Sequence, residues 1–144
     1  MKRALCAIVW LLASVAATAQ DRGATVFNQN CAVCHQPKGE GAPGFAPRLA
    51  GTLVDRTKTV PGRRYLAQLV VSGMMGPIIS GGEKFNDAMP GFAALPDEDI
   101  VAVLAYVMGE LNGASTELLV KPDDVLAARR QPMSPAAVRR LREP

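Results

Sequence analysis

The stretch Cys31-Ala32-Val33-Cys34-His35 decides how the rest of this sequence is interpreted. It places two thiols three residues apart and an imidazole directly after the second thiol. His35 is the one histidine among the 144 residues, and the third cysteine, Cys6, lies near the N-terminus. A site built on this stretch therefore contains two thiols and a single imidazole.

The C-x-x-C-H spacing is the attachment motif for a c-type haem. Each thiol can add to one vinyl group of the haem, and the residue that follows is then held under the iron as a ligand. We therefore predict one covalent haem c with its iron, bound through Cys31 and Cys34 and ligated by His35.

Three other interpretations of the motif remain open at this point. A thioredoxin-type dithiol would follow a strand and precede a long helix, whereas a loop rich in Gly and Pro follows here, over residues 36–51. A structural zinc needs four ligands, and no Cys or His follows His35 in the chain. A structural disulfide would leave His35 without a role.

The N-terminus predicts export. Lys2 and Arg3 precede an apolar run over residues 4–17, and Ala17-Thr18-Ala19 follows it. This order is typical of a signal peptide, here residues 1–19, cleaved after Ala19. The alternative, a membrane anchor, needs about 20 apolar residues. We therefore expect an exported, soluble protein of the periplasm with no membrane span after cleavage, and haem c attachment also follows export.

The charge of the chain argues against nucleic acid as a partner. The chain has 16 Lys+Arg and 13 Asp+Glu, a formal charge of +3, but removal of residues 1–19 leaves +1. Residues 20–113 hold 8 basic and 9 acidic residues, and residues 114–144 hold six and four. The basic excess therefore lies in the C-terminal segment, and a nucleic-acid footprint is not expected.

Hydrophobic spacing and helix-end signals predict one haem domain over 20–113 and a C-terminal tail over 114–144. A length of 144 residues with 49% hydrophobic residues suits a single globular domain. The predicted elements are helices over 20–30, 62–72 and 97–111, a hairpin around Gly81-Gly82 within 77–85, and two short tail helices, from Asp123 to Arg130 and from Ser134-Pro135 to Leu141.

The far side of the iron cannot be ligated by a second histidine, because His35 is the one histidine of the chain. A methionine, another weak ligand or an open position remains possible there. Met108 lies within a predicted helix and is expected to be a core or surface methionine rather than a ligand. Met74 and Met75 stay open as ligands, and Met89 precedes Pro90, which stiffens its loop.

At this point the chain resembles a class I, mitochondrial-type c cytochrome of the bacterial periplasm, with a single haem, over nearly all of residues 23–107. The resemblance is carried by residues beyond the haem motif: Gly23 and Phe27 before it, Leu104 and Tyr106 in the last helix, the loop from Gly39 through Pro47 to Gly51, and GPIISGGEKFNDAMPGF over residues 76–92.

This resemblance implies an all-α cytochrome c fold, in which the N- and C-terminal helices cross around one haem and a short hairpin precedes the distal methionine. It also implies that the Pro47 carbonyl accepts the ring N–H of His35, and that Met89 is the sixth ligand. The function it implies is one-electron transfer rather than enzymatic catalysis, as a free carrier or as the electron-transfer subunit of a periplasmic dehydrogenase.

Two further questions stay open in the sequence. With a loose Met89, the protein would instead bind a small ligand such as CO or NO, or act as a peroxidase. The tail over 114–144 either covers its own domain or docks a redox partner, such as a dehydrogenase, a terminal oxidase or another cytochrome.

Overall fold

The computed structural model describes residues 21–142. The predicted signal peptide lies outside the described residues. Over residues 21–142, no helix combines the length and the apolar character needed to cross a membrane.

The described chain is mainly helical, with one two-stranded hairpin, which confirms the all-α prediction. Helix α1 covers residues 21–30. The elements that follow are α2 (Ala32–His35), α3 (Val54–Thr57), α4 (Val60–Ser72), β1 (Ile78–Ser80), β2 (Glu83–Phe85), α5 (Asp97–Gly109), a 3-10 turn (Thr116–Leu118), α6 (Pro122–Arg130) and α7 (Pro135–Arg142).

The helix ends largely follow their sequence signals. The Thr59 side chain accepts the Gly62 N–H at 3.1 Å and starts α4 two residues earlier than predicted. The hairpin pairs Ser80 with Glu83 across Gly81-Gly82, as predicted. One detail was wrong: α6 begins at Pro122, and it is Asp124 rather than Asp123 whose carboxylate accepts the Lys121 N–H, at 3.0 Å.

Helices α1 and α5 cross at close range. A Cβ atom at Gly23 would lie 2.3 Å from the Ala102 carbonyl oxygen, so only glycine allows this approach. One turn further along α1, the rings of Phe27 and Tyr106 are 5.4 Å apart. This crossing sets the direction in which α1 leads into the Cys31–His35 stretch.

The C-terminal segment is part of the hydrophobic core. Val125 in α6 and Val138 in α7 are fully buried, and both belong to the same cluster as Phe27 and Ile100. The Arg129 side chain holds α6 to the start of α5: it forms an ion pair with Asp97 and donates to the carbonyls of Ala93 and Leu95, at 2.7 and 2.5 Å. Between the two interpretations of the tail, the observed packing favours the one in which it covers its own domain.

Candidate functional site

The two thiols and the imidazole lie on one short helical segment. The Cys31 N–H donates to the Phe27 carbonyl at 2.8 Å, and the His35 N–H donates to the Cys31 carbonyl at 2.9 Å. These bonds join α1 to α2 and present both thiols and the ring on a fixed backbone. No disulfide joins Cys31 to Cys34.

Burial raises the pKa of the free Cys31 thiol to about 11, and the nearby charge of a Cys34 thiolate adds to the effect. A thiol in such a setting is a poor metal ligand. Over residues 21–142, no cluster of three or more His, Cys, Asp and Glu side chains is arranged to hold a metal ion.

The His35 imidazole is buried and oriented by one hydrogen bond. The ring is 8% exposed, and its Nδ1–H donates to the Pro47 carbonyl at 2.9 Å, because a carbonyl oxygen can only accept. Burial lowers the pKa of His35, while the bond to Pro47 raises it. The neutral ring with its proton on Nδ1 leaves the Nε2 lone pair available to a metal ion.

The loop after α2 brings Pro47 to the ring through a close backbone contact at Gly41. The Gly41 N–H donates to the His35 carbonyl at 2.9 Å. A Cβ atom at Gly41 would lie 2.6 Å from the Arg48 nitrogen and 2.7 Å from the Ala46 carbonyl oxygen. Its φ of +75° also lies in the region that favours glycine. Gly41 therefore allows the 46–48 segment to lie against the residues that follow His35.

All five residues predicted to bind the haem line a single cavity: Cys31, Cys34, His35, Pro47 and Met89. The cavity extends into the core, where its walls include Phe27 of α1, Leu66 of α4 and Leu104 of α5. Most of its lining is apolar. A porphyrin ring needs such an apolar setting, and the thiols and the imidazole lie together along its wall, so the residues present fit a covalent haem.

Two of the predicted alternatives for the sixth ligand also have clear positions. Met74 lines the cavity together with Met89, whereas the Met75 side chain is 53% exposed and lies outside the lining. The backbones of Met74 and Met89 pair as an isolated antiparallel bridge. Met108, expected as a core or surface methionine, is fully buried and contributes to the cavity wall from α5.

A tyrosine distinguishes Met74 from Met89. The Tyr65 hydroxyl donates to the Met74 sulfur at 3.8 Å, and both side chains are buried. The Met74 thioether therefore has a polar partner, and among the residues that the structure describes a thioether hydrogen bond of this kind is found at Met74 rather than at Met89. Tyr65 lies in the predicted helix over 62–72 and was not predicted to contact the site. The signal in the sequence is that a buried tyrosine hydroxyl usually has a hydrogen-bond partner.

The Met89 segment lies directly on the end of α4. The Phe92 N–H donates to the Val70 carbonyl at 2.8 Å. A Cβ atom at Gly73 would lie 2.5 Å from the Met89 carbonyl oxygen, and one at Gly91 would lie 2.8 Å from the Val71 carbonyl oxygen. Gly73 directly follows the predicted helix over 62–72, where glycine commonly ends a helix. Its contact with Gly91 could not be predicted, because it joins two segments that are distant in the chain.

Comparison with known proteins gives matches over most of the chain. The family model described as cytochrome c matches residues 20–109. A cytochrome c-552 from Thermus thermophilus is 38% identical over 141 residues, which cover 96% of this chain and 93% of that protein. Another cytochrome c-552 from Thermus thermophilus is 36% identical over 122 residues, which cover 83% of this chain and 92% of that protein.

Proposed function

The chain belongs to the cytochrome c family, and from this premise we propose that it is a periplasmic one-electron carrier ligated by His35 and Met89. Family membership confirms the predicted class and the covalently bound haem c. The protein is a haem c electron carrier that works with redox protein partners, and not an enzyme. Its haem supplies an iron that gains and loses one electron.

In this proposal Cys31 and Cys34 form the two thioether bonds and His35 is the proximal ligand. The Pro47 carbonyl keeps the His35 proton on Nδ1, which fixes the ring and makes Nε2 a stronger donor. Met89 supplies a soft thioether, which favours ferrous iron and raises the reduction potential. The apolar wall acts in the same direction, because burial penalises the more highly charged ferric state.

The observation that carries the proposal is that His35 and Met89, the two residues that would ligate the iron, are both held by the backbone around one apolar cavity. His35 is held by Pro47 and by the α2 backbone, and Met89 is held by its pairing with Met74. Donors that do not move between oxidation states keep the reorganisation on electron transfer small. A fixed Met89 also disfavours the alternative in which the iron binds CO, NO or peroxide.

We propose the periplasm as the location because residues 1–19 have the pattern of a cleaved signal.

The electron partner in this proposal is a periplasmic dehydrogenase, a terminal oxidase or another cytochrome. The protein acts either as a free carrier or as a dehydrogenase subunit. Arg130 and Arg140 are exposed on α6 and α7 and supply positive charge for such docking. Their replacement by glutamine should slow electron transfer most at low salt.

The test is the visible spectrum of the exported, purified protein. We expect a low-spin ferric spectrum with the weak far-red band typical of methionine ligation, and no rapid binding of CO by the ferrous protein. The mass under denaturing conditions should equal residues 20–144 plus one haem. A high-spin spectrum with rapid CO binding would instead support the small-ligand alternative, and an uncleaved mass would contradict export.

A further inference from the structure

A second, basic cavity adjoins the haem cavity. Four cationic side chains line it, together with one carboxylate: Arg56, Lys84, Arg139, Arg142 and Asp87. The two cavities share part of their walls, at Ile78, Phe85, Asp87 and Arg142. They therefore meet along the β1–β2 hairpin, where the C-terminal helix α7 ends.

Arg142 is held at this junction from two sides. Its carbonyl accepts a hydrogen bond from the Arg56 guanidinium at 2.8 Å. Its own Nη2 donates to the Ile79 carbonyl at 3.2 Å. This bond takes one of the five N–H groups of the Arg142 side chain, so further donors remain for an acceptor nearby.

We infer that the Arg142 guanidinium pairs with a haem propionate at the junction of the two cavities. The inference rests on the proposed function, because it needs the haem in the cavity of Cys31 and His35. The thioether bonds fix the vinyl edge of the haem beside the two cysteines. The two propionates leave from a different edge, and a carboxylate needs water or a charged donor rather than an apolar wall.

The lining of the haem cavity offers two arginines for this role, Arg142 and Arg48. Arg48 is exposed, and its Nε donates to the Ala50 carbonyl at 2.9 Å. Arg142 is partly buried and also faces the basic cavity, where Arg56, Lys84 and Arg139 add positive charge. Of the two arginines, Arg142 therefore has the more basic setting for a forked pair with a carboxylate, with four cationic side chains against the single carboxylate of Asp87 in the cavity lining.

The pairing would change the stability of the ferric state relative to the ferrous state. A propionate carboxylate favours ferric iron, which is the more positive state, and a guanidinium beside it offsets that charge. Arg142 is thus a positioning residue that raises the reduction potential through the propionate. Loss of its charge should make the ferric state more favourable.

The test compares the reduction potentials of four variants of the holoprotein: Arg142→Gln, Arg142→Lys, Arg140→Gln and Arg48→Gln. Arg142→Gln should shift the one-electron equilibrium about three- to tenfold toward the ferric state, and a tenfold shift corresponds to about 59 mV. Arg142→Lys keeps the positive charge but not the forked geometry of the guanidinium, so its reduction potential should fall by less than that of Arg142→Gln. Arg140→Gln removes the same charge from an exposed position on the same helix and should change the equilibrium less than about twofold.

The visible spectrum separates this inference from the proposed function. All variants should keep the low-spin spectrum of the wild type, and a wild type without that spectrum would instead contradict the His35 and Met89 assignment. Resonance Raman spectra should show a shift of the propionate-bending band in Arg142→Gln and no shift in Arg140→Gln. Equal falls in the potentials of Arg142→Gln and Arg140→Gln, or a fall in Arg48→Gln and none in Arg142→Gln, would overturn the role of Arg142.

Discussion

The backbones of Met74 and Met89 are hydrogen-bonded to each other in both directions: Met74 N–H to Met89 carbonyl at 3.0 Å, and Met89 N–H to Met74 carbonyl at 2.9 Å. Two thioethers therefore line one cavity from paired segments. The hydroxyl of Tyr65 contacts only one of the two sulfurs, that of Met74. The bridge thus both places Met89 and supplies a second methionine beside it.

Replacement of Met89 should change the iron coordination. Met89→Ala is expected to remove the far-red band of the ferric protein and to allow the ferrous protein to bind CO, because the sixth position opens. Met74→Leu should keep both wild-type properties, because Met89 and not Met74 ligates the iron in the proposed arrangement. Absorption spectra with and without CO measure this, and Met75→Leu at an exposed position is the control. Loss of the band in Met74→Leu alone would assign the ligand to Met74.

Gly41 should be more sensitive to substitution than Gly44. Both have a similar positive φ, of +75° and +72°, but a Cβ atom at Gly44 would meet no atom within 4 Å. Gly44→Ala should lower the free energy of unfolding by about 1–2 kcal/mol through the backbone conformation alone. Gly41→Ala should lower the free energy of unfolding by about 1–3 kcal/mol more than Gly44→Ala does, because the added methyl group overlaps the backbone at Ala46 and Arg48.

Guanidinium unfolding of the ferric holoprotein measures both values. The visible spectrum of Gly41→Ala should also change, since the displaced loop carries the Pro47 acceptor of His35. Equal losses at the two glycines would mean that the 46–48 segment moves freely and does not orient the ring.

The tail should contribute measurably to stability. Val138 is fully buried in the core cluster, and Val138→Ala should lower the free energy of unfolding by about 2 kcal/mol, through lost burial and the cavity left behind. Leu141 on the same helix is 44% exposed, and Leu141→Ala should cost about 0.5 kcal/mol or less. Similar losses of unfolding free energy for the two variants would show that α7 is loosely attached.

Deletion of residues 114–144 is a poor test of partner docking, because it would also open the core.

Removal of the haem should unfold most of the chain. The cavity runs between α1, α4 and α5, so without the porphyrin the central side chains face an empty apolar space. The double variant Cys31→Ser/Cys34→Ser, purified without haem, should lose most of the far-ultraviolet circular dichroism of its helices. The wild-type holoprotein at the same concentration is the reference. Native helix content in the haem-free variant would contradict this prediction.

The sequence predicted those features that depend on local signals. The carboxylates of Asp97, Glu98 and Asp99 predicted the start of α5, and Gly81-Gly82 predicted the turn of the hairpin. The C-x-x-C-H motif predicted the site, because its chemistry depends on spacing alone. α5 ends at Gly109, two residues before the predicted end at 111.

Contacts between distant segments were not predictable in the same way. The bridge between Met74 and Met89, the bonds of Arg129 to the start of α5 and the burial of Val138 all depend on which surfaces meet after folding. A tail with many arginines suggested a solvated segment. Its few apolar residues are nevertheless placed to enter the core, and a single valine in α7 carries little periodic signal.

The position of Arg142 also bears on the order in which the molecule is assembled. Because haem attachment follows the proposed export, the whole chain, including α7, is already present when Cys31 and Cys34 meet the porphyrin. Arg142 reaches the Ile79 carbonyl, so one wall of the cavity is complete only when α7 lies against the hairpin. Since the haem-free chain is expected to be largely unfolded, we expect this contact to form last, as the domain folds around the attached porphyrin.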